Sequence, residues 1–198
     1  SVIAYKHTNL KTMIAYSSMA HISLMAAAMF VMNTYAFQGL VFQVLSHGVT
    51  IVALFYVACL VKEQTGTTEM PQLGGLKINA PNMAILFLII LFGSIALPLT
   101  AGFVGEFLMI TGLYQQSVWF AVFGGLTMIL GAIYMLYAYQ RVMLGDKKAA
   151  FAKVNDVNTL DYWILIPLIA VILELGIYPQ PIFDILKPVA EVFSGLAH

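Results

Sequence analysis

At residues 98–107 the sequence reads Pro98-Leu99-Thr100-Ala101-Gly102-Phe103-Val104-Gly105-Glu106-Phe107, which puts a helix break and one carboxylate inside an apolar run. From Asn82 to Leu113, Glu106 is the only ionisable side chain. Two membrane spans need about 40 apolar residues and a polar turn, and the run is too long for one upright helix at about 1.5 Å per residue. The stretch therefore predicts one membrane span that is broken near Pro98.

The predicted break limits what can surround it inside a membrane. Proline lacks a backbone N–H and disfavours helix in the residue before it, so the backbone around Pro98 is expected to contain unpaired peptide groups. Lipid cannot bond such groups, and a carboxylate is also costly in hydrocarbon. Both need neighbouring protein or a hydrated cavity, which makes Glu106 the first candidate functional residue.

The composition excludes most soluble classes of protein. Hydrophobic residues make up 61% of the chain and charged residues 9%, against about 25% charged residues in soluble domains. We therefore predict an all-α polytopic membrane protein with a single membrane domain. Nine basic and nine acidic side chains balance, and no basic cluster indicates nucleic acid as a partner. The single cysteine, Cys59, supports neither a disulfide framework nor a Cys/His metal site.

Hydropathy and turn residues predict five transmembrane helices, the third of which contains the break. After the fifth, apolar and charged residues alternate at helical spacing, with Ile185, Val189 and Val192 on one side, which predicts an amphipathic helix on the membrane surface. Ser1 is not an initiator methionine, so we expect a C-terminal fragment of a larger subunit. The predicted spans are 9–33, 36–61, 82–115, 118–143 and 162–178, and the amphipathic tail is 182–197.

Basic side chains fall almost entirely on one side of this topology. Cytoplasmic loops of membrane proteins carry an excess of lysine and arginine, so the start of the chain is predicted to lie in the cytoplasm, matrix or stroma and its end across the membrane. Of the nine basic residues, Lys187 is on the other side. The eight on the predicted inner side are Lys6, Lys11, Lys62, Lys77, Arg141, Lys147, Lys148 and Lys153.

Three ionisable side chains lie well inside the apolar spans: His21, His47 and Glu106. Histidine titrates near neutral pH, so two imidazoles and a carboxylate on neighbouring helices can pass protons. The alternative for each is a structural role, in which the polar group hydrogen-bonds across helices and fixes their packing. Lys11 is a further candidate, although it lies near enough to the boundary for its ammonium to reach water. Hydroxyls that could link a relay are those of Ser18, Ser46, Thr50 and Thr100.

Helical spacing places several polar side chains on common faces. Gln43, His47 and Thr50 recur at i, i+4 and i+7 and form a polar stripe on the second span. Lys11, Ser18 and His21 can likewise share one face of the first span.

Motifs for other chemistry do not occur in the sequence. There is no glycine-rich nucleotide loop, no histidine pair at i, i+4 and no Gly-x-Ser-x-Gly turn. Haem needs axial ligands, which His21 and His47 would supply only weakly. We therefore expect this chain to bind neither a metal nor a cofactor.

Four motifs resemble the antiporter-like subunits of respiratory complex I, and the similarity covers nearly the whole chain. They are Asn9-Leu10-Lys11-Thr12-Met13-Ile14-Ala15-Tyr16-Ser17-Ser18-Met19-Ala20-His21, Leu45-Ser46-His47-Gly48, Gly74-Gly75-Leu76 and Leu97-Pro98-Leu99-Thr100-Ala101-Gly102-Phe103-Val104-Gly105-Glu106-Phe107. In this family, as in multi-subunit cation/proton antiporters, two inverted repeats of five helices each contain a broken helix. The resemblance implies that this chain is the second repeat without its first helix, followed by the final helix and tail.

The resemblance also implies roles for the candidate residues. Most relatives have lysine at the position of Glu106, whereas one branch has glutamate, and Glu106 favours that branch. By the same resemblance Glu106 is the terminal carboxylate of a proton channel, and His21 and His47 belong to its central hydrophilic axis. Asn9 and Thr12 stand where the family often has aspartate and arginine, which weakens any carry-over to the lysine between them.

The function implied is that of a proton-translocating membrane subunit of NADH:quinone oxidoreductase in the bacterial inner membrane. NADH, FMN, iron–sulfur clusters and quinone would belong to partner subunits, and this chain's own partners would be other membrane subunits of complex I, the lipid bilayer and protons. The intramembrane glutamate and lysines of the first repeat would lie upstream of Ser1, so the chain is not expected to pump alone. Two alternatives stay open: a subunit of a cation/proton antiporter, and a structural scaffold whose polar groups join helices.

Overall fold

The computed structural model describes residues 1–145, 151 and 154–195. Within these residues no β-strand forms, and extended backbone pairs only in an isolated bridge between Asn9 and Glu69. The prediction of an all-α fold is therefore confirmed. Lys147, Lys148, Lys153 and residues 196–197 of the predicted tail lie outside the described residues. The helices are α1 (Val2–Lys6), α2 (Leu10–Val31), α3 (Thr34–Thr65), α4 (Pro81–Ser94), α5 (Ala101–Gln116), α6 (Val118–Met143), α7 (Thr159–Ile177) and α8 (Gln180–Gly195), with short 3₁₀ turns at Met70–Gln72 and Leu76–Ile78.

By length and composition, α2, α3, α6 and α7 can each cross a membrane. Helix α4 is shorter and apolar, and it continues through residues 95–100 into α5, so that these two helices occupy the predicted third span. Helix α3 runs past the predicted boundary at residue 61. It ends where Gly66 adopts a left-handed conformation with φ 77° and donates its N–H to Lys62 O.

Most of the described basic side chains lie at one end of the helix bundle. Helices α2 and α4 begin there, and α3 and α6 end there. We call it the basic end, because the described cations that lie there are Lys6, Lys11, Lys62, Lys77 and Arg141.

Polar side chains cap three of the long helices, α2, α3 and α7. The side-chain oxygen of Asn9 accepts two backbone N–H groups of the first turn of α2, at 3.1 and 3.3 Å. Asn33 caps α3 in the same way, and Asn158 with Asp161 forms a reciprocal capping box at the start of α7. These caps satisfy N–H groups that helix geometry leaves unpaired, so α2, α3 and α7 each begin at a residue that the sequence specifies.

The break between α4 and α5 occupies residues 95–100. Ala96 and Leu99 have φ values of 54° and 76°, in the left-handed region that side chains other than glycine rarely adopt. Leu97 O accepts both the backbone N–H of Thr100, at 3.0 Å, and its hydroxyl, at 2.7 Å. The broken backbone is thus partly satisfied by its own residues, and α5 begins immediately afterwards.

Helix α7 packs directly on this broken segment. A Cβ atom at Gly176 would overlap the carbonyl oxygen of Leu99 and the carbonyl carbon of Thr100. Glycine is therefore needed for the two backbones to touch here.

The loop between α3 and α4 closes the basic end. Met70, Leu73 and Leu76 are 2%, 3% and 1% exposed and belong to the main apolar core. The backbone N–H of Leu10 donates to Thr68 O at 2.8 Å, which ties the loop to the start of α2. The loop is therefore part of the packed bundle.

Helix α8 lies against α3, where the rings of Phe183 and Phe42 stack with centroids 5.4 Å apart. The predicted apolar face of this helix, Ile185, Val189 and Val192, is 73%, 53% and 67% exposed. The face that was predicted to contact the membrane is thus not the face that packs on the bundle.

Candidate proton-relay site

Glu106 lies in the second turn of α5 and is 1% exposed. Helix α5, which carries this carboxylate, contacts five other helices: α2, α3, α4, α6 and α7. A buried carboxylate is tolerated only with bonding partners, and the neighbouring helices α2 and α3 provide them.

Two side chains converge on one oxygen of Glu106. His21 Nδ1 of α2 lies 2.8 Å from Glu106 Oε1, and the pair becomes an ion pair when the imidazole is protonated. Gln43 Nε2 of α3 donates to the same oxygen at 3.2 Å. The carboxylate is therefore held between a group that can exchange protons and a neutral amide that orients it.

A second imidazole stands next to the first. The ring centroids of His21 and His47 are 5.1 Å apart and the rings are inclined by 37°. Ser18 Oγ lies 2.8 Å from His47 Nε2, and which of the two donates depends on the histidine tautomer. Glu106, His21, His47 and Ser18 thus form a polar row across α5, α2 and α3, which we call the relay row; its two halves meet where the two imidazole rings contact each other.

Two further polar atoms border the relay row. Thr50, one turn from His47, is 3% exposed, and its hydroxyl has no hydrogen-bond partner within the described parts of the chain. Gln43 Oε1 is buried and unpartnered by the same measure. The hydroxyl of Thr100 serves the break instead, since it bonds to Leu97 O.

Lys11 is not part of the relay row. Its Nζ donates to Cys59 Sγ at 3.2 Å, and it precedes His21 by ten residues, or about 15 Å along α2. The structure therefore brings together three of the four candidate residues, and the fourth lies near the basic end.

Gln43 is a site residue that the sequence analysis did not single out. The available signal was the i, i+4, i+7 stripe that it shares with His47 and Thr50, but a neutral amide in such a stripe has no chemistry that distinguishes it from a packing residue. In the described residues no group of three His, Cys, Asp or Glu side chains could hold a metal ion.

Comparison with known proteins gives a consistent result. Residues 1–137 match the family described as NADH:quinone oxidoreductase/Mrp antiporter, TM. The chain is 36% identical over 189 residues to NADH-quinone oxidoreductase subunit M of Rhodobacter capsulatus, covering 95% of this chain and 37% of that protein. It is 33% identical over 191 residues to subunit M of Mycobacterium tuberculosis (strain ATCC 25618 / H37Rv), covering 96% and 34%. The chain thus spans little more than a third of the length of these relatives.

Two solved structures also match the chain over almost its whole length. A chain of respiratory complex I from Thermus thermophilus with bound NADH matches with a TM-score of 0.93 and 30% identity, covering 99% of this chain and 41% of that one. A chain of the Mrp complex from Dietzia sp. DQ12-45-1b matches with a TM-score of 0.82 over 97% and 42% of the two chains, and at 16% identity it shows the fold alone. The resemblance stated from the motifs is confirmed, and the chain belongs to the NADH:quinone oxidoreductase/Mrp antiporter transmembrane family.

Proposed function

We propose that this chain carries part of a proton channel in a proton-translocating membrane subunit of NADH:quinone oxidoreductase. The observation that supports the proposal most directly is the 2.8 Å contact between Glu106 Oε1 and His21 Nδ1 inside an apolar bundle. A buried acid bonded to an imidazole is a pair that can exchange a proton without exposing either group to lipid.

The relay row suggests a sequence of transfers. A proton on Glu106 passes along its hydrogen bond to His21 Nδ1, and the neighbouring ring of His47, 5.1 Å away between centroids, is the next acceptor. The Ser18 hydroxyl continues the row on the far side of His47. Glu106 is the residue that gains and releases the proton, the histidines pass it, and Gln43 positions the carboxylate.

Redox chemistry takes place elsewhere in this proposal. NADH, FMN, iron–sulfur clusters and quinone belong to partner subunits, and the other membrane subunits of complex I pack against this chain. Energy released by electron transfer changes the hydration and protonation of groups such as Glu106. That energy works against a membrane potential that costs about 2.3 kcal/mol per charge for each 100 mV. The basic end faces the cytoplasm of a bacterial inner membrane.

The names of the relatives and the arrangement of the site favour a complex I subunit over an antiporter subunit or a structural scaffold. The family description names both kinds of protein, and an antiporter subunit has in addition a structural likeness at 16% identity, whereas relatives at 33% and 36% identity are named subunit M. Genes for complex I subunits beside the coding sequence would support the proposal, and genes for antiporter subunits would support the alternative. A purely structural scaffold has no need of two imidazoles in line with the acid.

The test is Glu106→Gln in the assembled complex of the source organism. Glutamine keeps a similar shape and bonding capacity but cannot titrate, so we expect proton translocation per electron to fall by more than half while the complex remains assembled. The matched control is Glu63→Gln, which removes an exposed carboxylate near the end of α3. Unchanged proton translocation in an assembled Glu106→Gln complex would eliminate the relay and leave the scaffold.

A further inference from the structure

Gln43 and His21 meet Glu106 at the same oxygen atom, and Gln43 is held there less closely. His21 Nδ1 lies 2.8 Å from Glu106 Oε1, whereas Gln43 Nε2 donates to it from 3.2 Å, at the long end of the usual range of about 2.7–3.2 Å. Gln43 is 2% exposed and Glu106 1%, so residues of this chain enclose the contact, whatever packs on the outside of the bundle.

The carbonyl end of the Gln43 amide has no hydrogen-bond partner in the described parts of the chain, although it is buried. It lies against Gly105, where a Cβ atom would overlap it. The oxygen and nitrogen of an amide have nearly the same size, so a half-turn about the last side-chain bond exchanges them without moving a helix. The present orientation therefore has no second bond that would prevent this turn.

The protonation state of Glu106 decides which end of the amide it needs. An ionised carboxylate only accepts hydrogen bonds, so it bonds the N–H group of Gln43. A protonated carboxyl group also donates through its O–H. Two acceptors are then in reach: the ring nitrogen of neutral His21 and, after the half-turn, Gln43 Oε1. While the amide nitrogen faces the acid, His21 is the one of these two that can accept.

We propose that Gln43 is a two-position gate on the proton of Glu106, an inference that rests on the proposed function. With Nε2 towards Glu106, the acidic proton is directed to His21 and enters the relay row. With Oε1 towards Glu106, the proton is hydrogen-bonded to the amide and is withheld from His21. The proton stays on an oxygen of Glu106 until His21 accepts it, and Gln43 never ionises, so Gln43 is a positioning residue.

Other ionisable groups face Glu106 from the neighbouring helices and contribute to its titration. They are His21 on α2, His47 beside it on α3, and Tyr134 on α6, which lies within electrostatic reach. Helix α4 carries no ionisable side chain. On α7, Asp161 accepts a bond from the Tyr56 hydroxyl and Glu174 is exposed. A test of the gate therefore has to isolate the changes that depend on Glu106 itself.

Infrared difference spectroscopy of the assembled native complex makes this separation. Spectra at low and high pH are subtracted for the wild type and for Glu106→Gln, and the difference between the two results isolates the contribution of Glu106. We expect a protonated-carboxyl band at low pH, together with a shift of a side-chain amide carbonyl to lower frequency as it accepts the hydrogen bond. Glutamine labelled with carbon-13 at the side-chain carbonyl identifies the shifted band as that of a glutamine.

Gln43→Met keeps a similar length without polar atoms, so it should lose the carbonyl shift and retain the carboxyl band. Gln38→Met is the matched control and should keep both. Gln38 lies on the same helix, five residues earlier and about 140° away around the axis.

The possible results separate the gate from the relay. A carboxyl band without a carbonyl shift in the wild type would show a fixed amide, which overturns the gate and leaves the relay intact. Absence of the carboxyl band would overturn both, because Glu106 would then not exchange protons. A shift that persists in Gln43→Met would belong to another glutamine and would also overturn the gate. The wild-type spectra decide between a turning and a fixed amide even if Gln43→Met does not assemble.

Discussion

Gly105 sets the distance between Glu106 and its amide partner. A Cβ atom at this position would overlap Gln43 Oε1 and lie 2.9 Å from Gln43 Cβ. The absence of a side chain therefore allows α3 and α5 to approach closely enough for Gln43 to reach the carboxylate of the next residue along α5.

Gly105→Ala is expected to displace Gln43 and lower the free energy of unfolding by about 1–3 kcal/mol, the usual cost of overpacking. Proton translocation should fall with it, because Glu106 loses an orienting hydrogen bond. The measurements are thermal stability of the purified complex and proton translocation in vesicles. Gly125→Ala is the control, since a Cβ there meets nothing within 4 Å. Identical behaviour of the two variants would contradict the packing account.

Single functional residues can be identified in the sequence where an ionisable side chain stands among apolar ones. Glu106 stands out because it is the only ionisable group between Asn82 and Leu113, and His21 and His47 stand out in the same way. The contact of Gln43 with Glu106 could not be predicted, because it depends on how closely two helices pack and not on the chemistry of an amide.

Among the helices, α4 begins in an unusual way, since a residue far away in the sequence caps it. Ala80 precedes α4 and has no side chain that could cap it. Asp156 takes this role: its two carboxylate oxygens accept the backbone N–H groups of Asn82 and Met83, both at 2.9 Å. The loop before α7 is thereby fastened to the start of the broken span, and the negative charge lies at the positive end of the helix dipole.

Asp156→Ala is expected to cost about 0.5–2 kcal/mol, the range for loss of an N-cap. The amides of the first turn of α4 should exchange with deuterium faster, because two of them lose their acceptor. Hydrogen-exchange mass spectrometry of the reconstituted complex measures this directly. Asp184→Ala on α8 is the control, since that exposed carboxylate bonds only to the Gln180 side chain in the described structure. If exchange in α4 did not change, Asp156 would not be the cap.

The sequence predicts that the third span is broken, but not where α4 ends or which backbone conformation the break adopts. Pro98 predicted that the span is interrupted, and the structure confirms it, yet α4 already ends at Ser94. Ala96 and Leu99 adopt left-handed conformations that their residue types disfavour, so these conformations could not be predicted from the sequence. Close packing accompanies this conformation, since Gly176 of α7 lies against Leu99 and Thr100.

Across the whole molecule, charge and topology agree. Helices α2 to α7 alternate in direction when α4 and α5 are counted as one crossing, and five described cations, Lys6, Lys11, Lys62, Lys77 and Arg141, then lie at one end. This distribution supports a cytoplasmic location for the basic end.

Cysteine labelling tests the orientation. In a Cys59→Ala background, Gln116→Cys should react with a membrane-impermeant maleimide added to intact spheroplasts, whereas Lys62→Cys should react only after the membrane is permeabilised. Both positions are exposed at opposite ends of the bundle. The reverse pattern of labelling would overturn the proposed orientation.

Hydropathy and the distribution of lysines are sufficient to predict an all-helical membrane protein, because each helix must satisfy its own backbone in lipid. They do not predict that α5 lies at the centre, in contact with five other helices, since every apolar helix has the same preference for lipid and for protein.

The contact of Gly176 with Leu99 and Thr100 has a mechanical consequence. The two backbones approach each other directly at Gly176, so a shift of α7 along its own axis would displace the interrupted backbone. The helix that bears Glu106 starts at the next residue, so a displacement of α7 would reach the start of that helix without passing through either imidazole.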